Sequence, residues 1–164
     1  MKVGVIADTH GVLPPEVAQI FQGVDRIIHA GDIGGDDVLF HLHKLAPVVA
    51  VRGNYDQDRD LHLLPDPSMI DLDGLPTLLT HRLVSFEWSQ GKTLFARMLE
   101  KFPLKPRIVI FGHTHFPVAE SVEGVYFFNP GYCGPDPLEG EPSVGILTIE
   151  GGEITGRIVK LEKK

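Results

Sequence analysis

Five short apolar runs in this chain each end in residues that bind metal ions, and that recurrence narrows the folds open to it. Val3-Gly4-Val5-Ile6-Ala7 leads into Asp8-Thr9-His10, and Arg26-Ile27-Ile28-His29-Ala30 into Gly31-Asp32. Val48-Val49-Ala50-Val51 leads through Arg52 into Gly53-Asn54, and Leu75 to Thr80 leads into His81. Arg107-Ile108-Val109-Ile110-Phe111 leads into Gly112-His113-Thr114-His115. Short Val/Ile-rich runs bounded by Gly read as strands. Ligand chemistry just past five strand ends predicts one site at one edge of a sheet, with enough ligands for two ions.

The elements between the runs fit that reading. Pro14 and Pro15 open a helix near Glu16–Gln22, since Pro suits a first helical position. Asp36–Leu45 reads as a helix with Val38, Leu39, Leu42 and Leu45 on one face. Helices alternating with continuous Val/Ile strands predict parallel strands over the first third. Further on, Asp73-Gly74, Glu123-Gly124 and Gly151-Gly152 are hairpin turn signals between strand-like segments. A helix is expected near Lys92–Lys101, with Leu94, Phe95, Met98 and Leu99 as its apolar face. The expectation is a single α/β domain over residues 1–164, with two packed sheets and helices outside.

Composition excludes several functions. The net charge of −7 argues against a nucleic-acid surface built from basic patches. No stretch approaches the roughly 18 apolar residues of a membrane span. The single Cys133 excludes an intramolecular disulfide framework. With an N-terminus lacking a signal-peptide layout, this predicts a cytoplasmic protein. Cys133 has no base nearby in sequence and reads as inert.

Each ligand motif also has an ordinary reading when taken alone. Asp8 and His10 are two apart, so in an extended segment they share a side and can grip one ion. Asp32 follows a Gly that permits a sharp turn, and its two oxygens can bridge two cations. Asn54 offers a neutral amide oxygen suited to hard ions, while Asp56 is read as orienting another ligand. His113 and His115 are the most specific local signal, two imidazoles able to serve two neighbouring ions. His81 alone is balanced between ligand and ordinary strand-end histidine. His41 and His43 sit in a predicted helix, where i and i+2 face different ways, and His62 has no supporting pattern. His29 is read as a core histidine behind the site. The count is seven candidate ligands: Asp8, His10, Asp32, Asn54, His81, His113 and His115. Mixed oxygen and nitrogen ligation suits Mn, Fe, Zn, Co or Ni, with Mn preferred.

The order D-x-H, G-D, G-N-x-D, a histidine after a strand and G-H-x-H resembles the calcineurin-like metallophosphoesterases. Asn129-Pro130-Gly131 and the small size resemble the compact YfcE-like phosphodiesterase branch. The resemblance covers nearly the whole chain. It implies a four-layer αββα sandwich of two mixed sheets. It also implies one ion on Asp8, His10, Asp32 and His115, and another on Asp32, Asn54, His81 and His113. Asp32, Asn54 and His113 are carried over as the catalytic residues among these. The implied reaction is hydrolysis of a phosphate ester by a hydroxide bridging two ions roughly 3.5–4 Å apart.

Three positions depart from the family pattern. Tyr55 stands where many members have a histidine that protonates the leaving group, which implies a weaker or different general acid. Arg82-Leu83 replaces Gly-His after the lone histidine. Arg82 is read as either a phosphate contact or a surface replacement for Gly, the second being preferred. Tyr132 replaces a Ser and alters the pocket.

A small phosphodiester is the first-choice substrate, because a good leaving group needs less help from an acid. Alternatives are a phosphomonoesterase with the same site, a non-catalytic scaffold of the Vps29 type, and a metal-binding regulator that responds to nucleotide. Leu83 to Trp88 and Tyr132 to Leu138 are expected to shape the pocket. Phe86 and Trp88 leave a homo-oligomer interface open beside ordinary core packing.

Overall fold

The computed structural model describes residues 1–57, 59–83, 99, 104–135 and 140–162. Its strands are β1 (Lys2–Ile6), β2 (Arg26–Ala30), β3 (Val48–Val51), β4 (Ser68–Leu72), β5 (Leu75–Leu79), β6 (Ile108–Ile110), β7 (Val118–Val122), β8 (Val125–Asn129), β9 (Ser143–Glu150) and β10 (Glu153–Lys160). They form two five-stranded sheets, ordered β10-β9-β1-β2-β3 and β4-β5-β6-β8-β7. Both are mixed. In the first, β1, β2 and β3 run parallel and β9 and β10 antiparallel. In the second, β5, β6 and β8 run parallel, with β4 and β7 as antiparallel edges.

Helices α1 (Glu16–Ile20) and α2 (Asp36–His43) cover the outer face of the first sheet. Val17, Phe21, Val38 and Leu42 pack there on Ile6, Ile27 and Ile146. Asp36 and Asp37 in the first turn of α2, with His41 and His43 in the last, match the sense of its dipole. Val38 and Leu42 are buried and Leu39 partly so, but Leu45 lies beyond the helix end and is exposed, so the apolar face is shorter than expected. His41 and His43 are exposed, each donating its Nδ1–H back to its own helix, to the carbonyls of Asp37 and Leu39.

The inner faces of the sheets meet in a second core of Val3, Val5, Ile28, Leu79, Ile110, Phe128 and Leu147. The outer face of the second sheet carries Leu78, Val109, Phe111 and Phe127, and helical Leu99 is buried against it. The rest of the expected Lys92–Lys101 helix lies outside the described residues, as do Phe86 and Trp88. The architecture is thus the expected α/β sandwich of two mixed sheets with helices outside.

All three turn signals form hairpins. Positive φ at both central residues (Asp73 55° and Gly74 81°, Glu123 48° and Gly124 80°, Gly151 59° and Gly152 84°) is the type I′ pattern that suits strand twist. A 3₁₀ turn at Arg59–Leu63, which the sequence pattern does not signal, fills the path from β3 to β4.

Register decides where the runs end. Ile6 lies opposite His29 and His29 opposite Ala50, while Leu79 lies opposite Ile110 in the other sheet. The parallel strands β1, β2, β3, β5 and β6 therefore deliver their carboxyl ends together. That is the edge at which open α/β sheets present ligand-binding loops.

Candidate metal centre

Six of the seven candidates gather there in two groups. Asp8, His10 and His115 form one, and Asp32, His81 and His113 the other, with the ligand-type atoms in each group within 4.8 Å of one another. Asn54 joins the second group, its Oδ1 lying 3.1 Å from His81 Nε2. Asp32 faces both, because its Oδ2 lies 3.4 Å from His81 Nε2 and 3.9 Å from His10 Nε2. The pair His113 and His115 divides between the groups.

The backbone reaches this geometry differently from the extended segments expected. Asp8, His10, Asp32, His113 and His115 all have φ between 46° and 65°. Their loops turn through left-handed conformations, so the i, i+2 alternation of a strand does not apply. Such conformations cost roughly 1–3 kcal/mol each and persist only where surroundings impose them. Here the loops are laced together. The amide of Asp8 donates to the Gly31 carbonyl at 3.0 Å and that of His10 to the Asp32 carbonyl at 3.0 Å. Bonds at this edge also cross between the sheets: His81 Nδ1–H donates to the Ala30 carbonyl at 2.8 Å, and the His113 amide to Asp8 Oδ2 at 3.1 Å.

Two motif glycines are required by close approach. A Cβ on Gly31 would lie 2.5 Å from the His81 ring, at φ +91°. A Cβ on Gly53 would lie 2.0 Å from Asp32 Oδ1 and 2.2 Å from the Asp32 amide nitrogen.

Electrostatics suit cations. Asp8 is fully buried, and among the described residues its Oδ1 has no hydrogen-bond partner while facing His115 Nε2 at 3.4 Å. A bare buried carboxylate oxygen is costly unless a positive group meets it. Because His81 Nδ1 holds a proton for Ala30, its Nε2 is the atom turned toward Asp32 and Asn54, two acceptors. Burial alone would lower the His81 pKa, but hydrogen bonding to Asp32 and the charges of Asp32 and Asp8 outweigh it and raise it. Burial pushes the Asp32 pKa upward, yet the bonds from His81 and from the Tyr55 amide (2.9 Å) leave it lowered overall. His113 is held below the usual histidine range by burial and by the fields of His81 and Arg82, which keeps its lone pair available. The donor set therefore fits divalent ions: carboxylate, imidazole and amide atoms converge, and one buried carboxylate oxygen accepts no hydrogen bond among the described residues.

Supporting residues are less visible in sequence. Asp56, expected to orient a ligand, accepts the amides of Ile33 (3.0 Å), Gly34 (2.9 Å) and Gly53 (2.8 Å), tying the Asp32 loop to the Asn54 loop. Asp66 accepts the Thr80 hydroxyl and the His81 amide, each at 2.9 Å. Asn129 donates to the Gly112 carbonyl at 3.0 Å and Thr114 Oγ1 at 3.1 Å. His29 Nε2 meets Thr9 Oγ1 at 2.9 Å, and Thr9 donates on to the Ile33 carbonyl at 2.8 Å. Asp66 carried no sequence signal beyond its place in an Asp-Pro turn, and Asn129 only the Asn-Pro-Gly motif.

The three departures occupy distinct places. Tyr55 is 69% exposed, its ring edge-on to His10 with centroids 5.1 Å apart. Tyr132 is buried with its ring 5.4 Å from that of His115. Arg82 is exposed in a cleft beside His81. Cys133 is buried, which pushes its thiol up to about 12, in keeping with an inert role.

Two sheets with this centre at their shared edge define a metallophosphoesterase fold, and the calcineurin-like phosphoesterase superfamily profile matches residues 1–152. The chain belongs to that family. It is 33% identical over 165 residues to a probable metallophosphoesterase of Methanothermobacter thermautotrophicus, covering 98% of this chain and 92% of the relative. It is 30% identical over 173 residues to the phosphodiesterase YfcE of Escherichia coli, covering 90% of this chain and 87% of the relative. Among solved structures, a novel archaeal phosphodiesterase superposes with a TM-score of 0.74 at 30% identity, covering 97% of this chain and all of that one (100%). A zinc-complexed Vps29 of Entamoeba histolytica superposes with a TM-score of 0.74 at 23% identity, covering 98% and 99%, a likeness of fold. No described helix is long and apolar enough to cross a membrane.

Proposed function

We propose that this protein is a two-metal phosphodiesterase, in which Asp8, His10, Asp32 and His115 hold one ion and Asp32, Asn54, His81 and His113 the other. The observation that carries it is the pair of Asp/His groups facing a shared Asp32, with the buried Asp8 Oδ1 left bare. Divalent ions there, Mn by preference, would supply Lewis acidity toward phosphoryl oxygens and lower the pKa of water.

The chain's own part is positioning. The Ala30 carbonyl fixes His81 with Nε2 inward, and the Tyr55 amide fixes Asp32. Asp32, Asn54 and His113 are the residues we assign to meet the phosphoryl group. Tyr55, largely solvated, offers its departing oxygen no enclosed proton donor. The centre therefore favours esters whose leaving group is already good, and diesters over monoesters. The relatives named as phosphodiesterases support this choice.

The test is hydrolysis of bis(p-nitrophenyl) phosphate and p-nitrophenyl phosphate with Mn²⁺, for the wild type and Asp32→Ala. The diester should be the better substrate, chelator should stop turnover, and D32A should fall to background. Wild-type-like rates in D32A would sink the site. No hydrolysis with any of several ions would favour the scaffold reading that the Vps29 likeness keeps in view.

A further inference from the structure

Beside His81 and Asn54 the surface opens into a cleft of about 520 Å³, whose lining includes Arg52, Asn54, Asp56, Asp66, His81 and Arg82. We propose that this cleft binds a second anionic group of the substrate, so that the preferred substrates are phosphodiesters with a further phosphate on one arm. The inference rests on the phosphoesterase reading above and adds the substrate class.

The two arginines flank the centre from opposite sheets. Arg52 follows β3 and directly precedes Gly53-Asn54; Arg82 follows β5 and directly succeeds His81. A phosphate held at the centre would therefore have two guanidinium groups on the side where the cleft lies.

The acidic residues in the cleft are turned to protein donors: both oxygens of Asp56 and one oxygen of Asp66 accept hydrogen bonds, and neither residue forms an ion pair with Arg52 or Arg82 among the described residues. Asp56 is buried and spends both oxygens on three backbone amides. Asp66 turns Oδ1 to Thr80 and to the His81 amide. Arg52 is held but not used up. One terminal nitrogen donates to the carbonyls of His62 (3.0 Å) and Leu64 (3.4 Å), at the end of the 3₁₀ turn. A guanidinium has five N–H donors in a planar fork. Among the described residues, the Nε and the other terminal nitrogen of Arg52 meet no acceptor, nor does any nitrogen of Arg82. A fork fixed on one side and open on the other is suited to a bidentate phosphate contact. Capping the 3₁₀ turn explains one nitrogen of Arg52. It explains neither the remaining fork nor a second arginine across the cleft.

The test is calorimetric binding of two probes, n-propyl phosphate and propane-1,3-diol bisphosphate, to the Mn²⁺-loaded full chain. The bisphosphate should bind at least about tenfold tighter, the scale of one charge-assisted contact. Arg82→Gln should lower that ratio, and R52Q/R82Q should bring it close to one. R82Q alone guards against misfolding, since among the described residues the Arg82 side chain makes no hydrogen bond or ion pair, and the Thr80 hydroxyl donates to its backbone carbonyl. A wild-type ratio near one, or an unchanged ratio in R82Q, overturns the proposal. Turnover of bis(p-nitrophenyl) phosphate in the same preparation reports separately on the phosphoesterase reading. Discrimination without turnover removes that reading and keeps the anion site, whereas turnover without discrimination does the reverse.

Discussion

His29 stands behind the candidate metal ligands and is bonded to the loop that carries two of them. It lies inside β2, fully buried, and its Nε2–H reaches Thr9, the residue between Asp8 and His10. Thr9 donates on to the Ile33 carbonyl, so the chain of bonds ties the first ligand loop to the Asp32 loop. Burial lowers the His29 pKa to about 3, although Asp56 and Asp32 pull it upward. The native pKa is thus below the unfolded value, and the unfolded chain takes up the proton first as pH falls. Stability present at neutral pH is lost between about 6.5 and 3, at up to about 1.4 kcal/mol per pH unit. His29→Gln should be less stable at pH 7 and lose less stability on acidification. Urea unfolding of chelator-treated protein from pH 7 to 4 reads both. Parallel pH dependences in the two proteins would contradict this role. At this scale the sequence is informative about ligand chemistry, because Asp, His and Asn declare their donor atoms. It sets His29 behind the site, but it is silent on the bond from His29 to Thr9 and on Asp66, which act through partners 20 and 15 residues away.

At the scale of elements, the strand ends were legible because apolar runs and Gly punctuation are local signals. The I′ hairpins were legible for the same reason. The ligand loops were not, since their left-handed turns are imposed by bonds between loops rather than by propensity. Two glycines separate these cases. Gly74 needs only its positive φ, with nothing within 4 Å of an added Cβ, and its hairpin opens β5 at the end away from the centre. Gly53 has no such latitude, because an added Cβ meets the Asp32 backbone itself. Gly74→Ala should cost about 1–2 kcal/mol, the left-handed penalty for an L-residue, and leave kcat/KM unchanged. Gly53→Ala should cost about 2–4 kcal/mol and reduce metal affinity and turnover together. Chemical denaturation with metal titration of both variants separates them. Intact metal binding in G53A would mean that the Asp32 loop yields where the packing says it cannot.

For the whole molecule, the centre lies where two sheets must be held together by something other than apolar packing. The core between the sheets is continuous through Val5, Ile28, Leu79 and Ile110, but beyond their ends the contacts are polar. Isolated hydrogen bonds such as Ala30–His81, Asp8–His113, Ala7–Cys133 and Asp8–Gly134 bridge the loops there, around a carboxylate oxygen that accepts no hydrogen bond among the described residues. An ion bound by Asp32, His81 and His113 would join β2 to β5 and β6, which belong to different sheets. Occupancy should therefore stabilise the fold as a unit. An ion at 100 times its Kd adds about 2.7 kcal/mol, and each kcal/mol raises Tm by about 2–4 °C for a chain of this size. Mn²⁺ should raise Tm by roughly 5–10 °C over chelator-treated wild type and do little in D32A, whose two groups lose their shared oxygen. Hydrogen exchange should show the added protection in β2 and in β5 alike. Protection confined to the first sheet would mean that the ions decorate one set of loops and do not join the two.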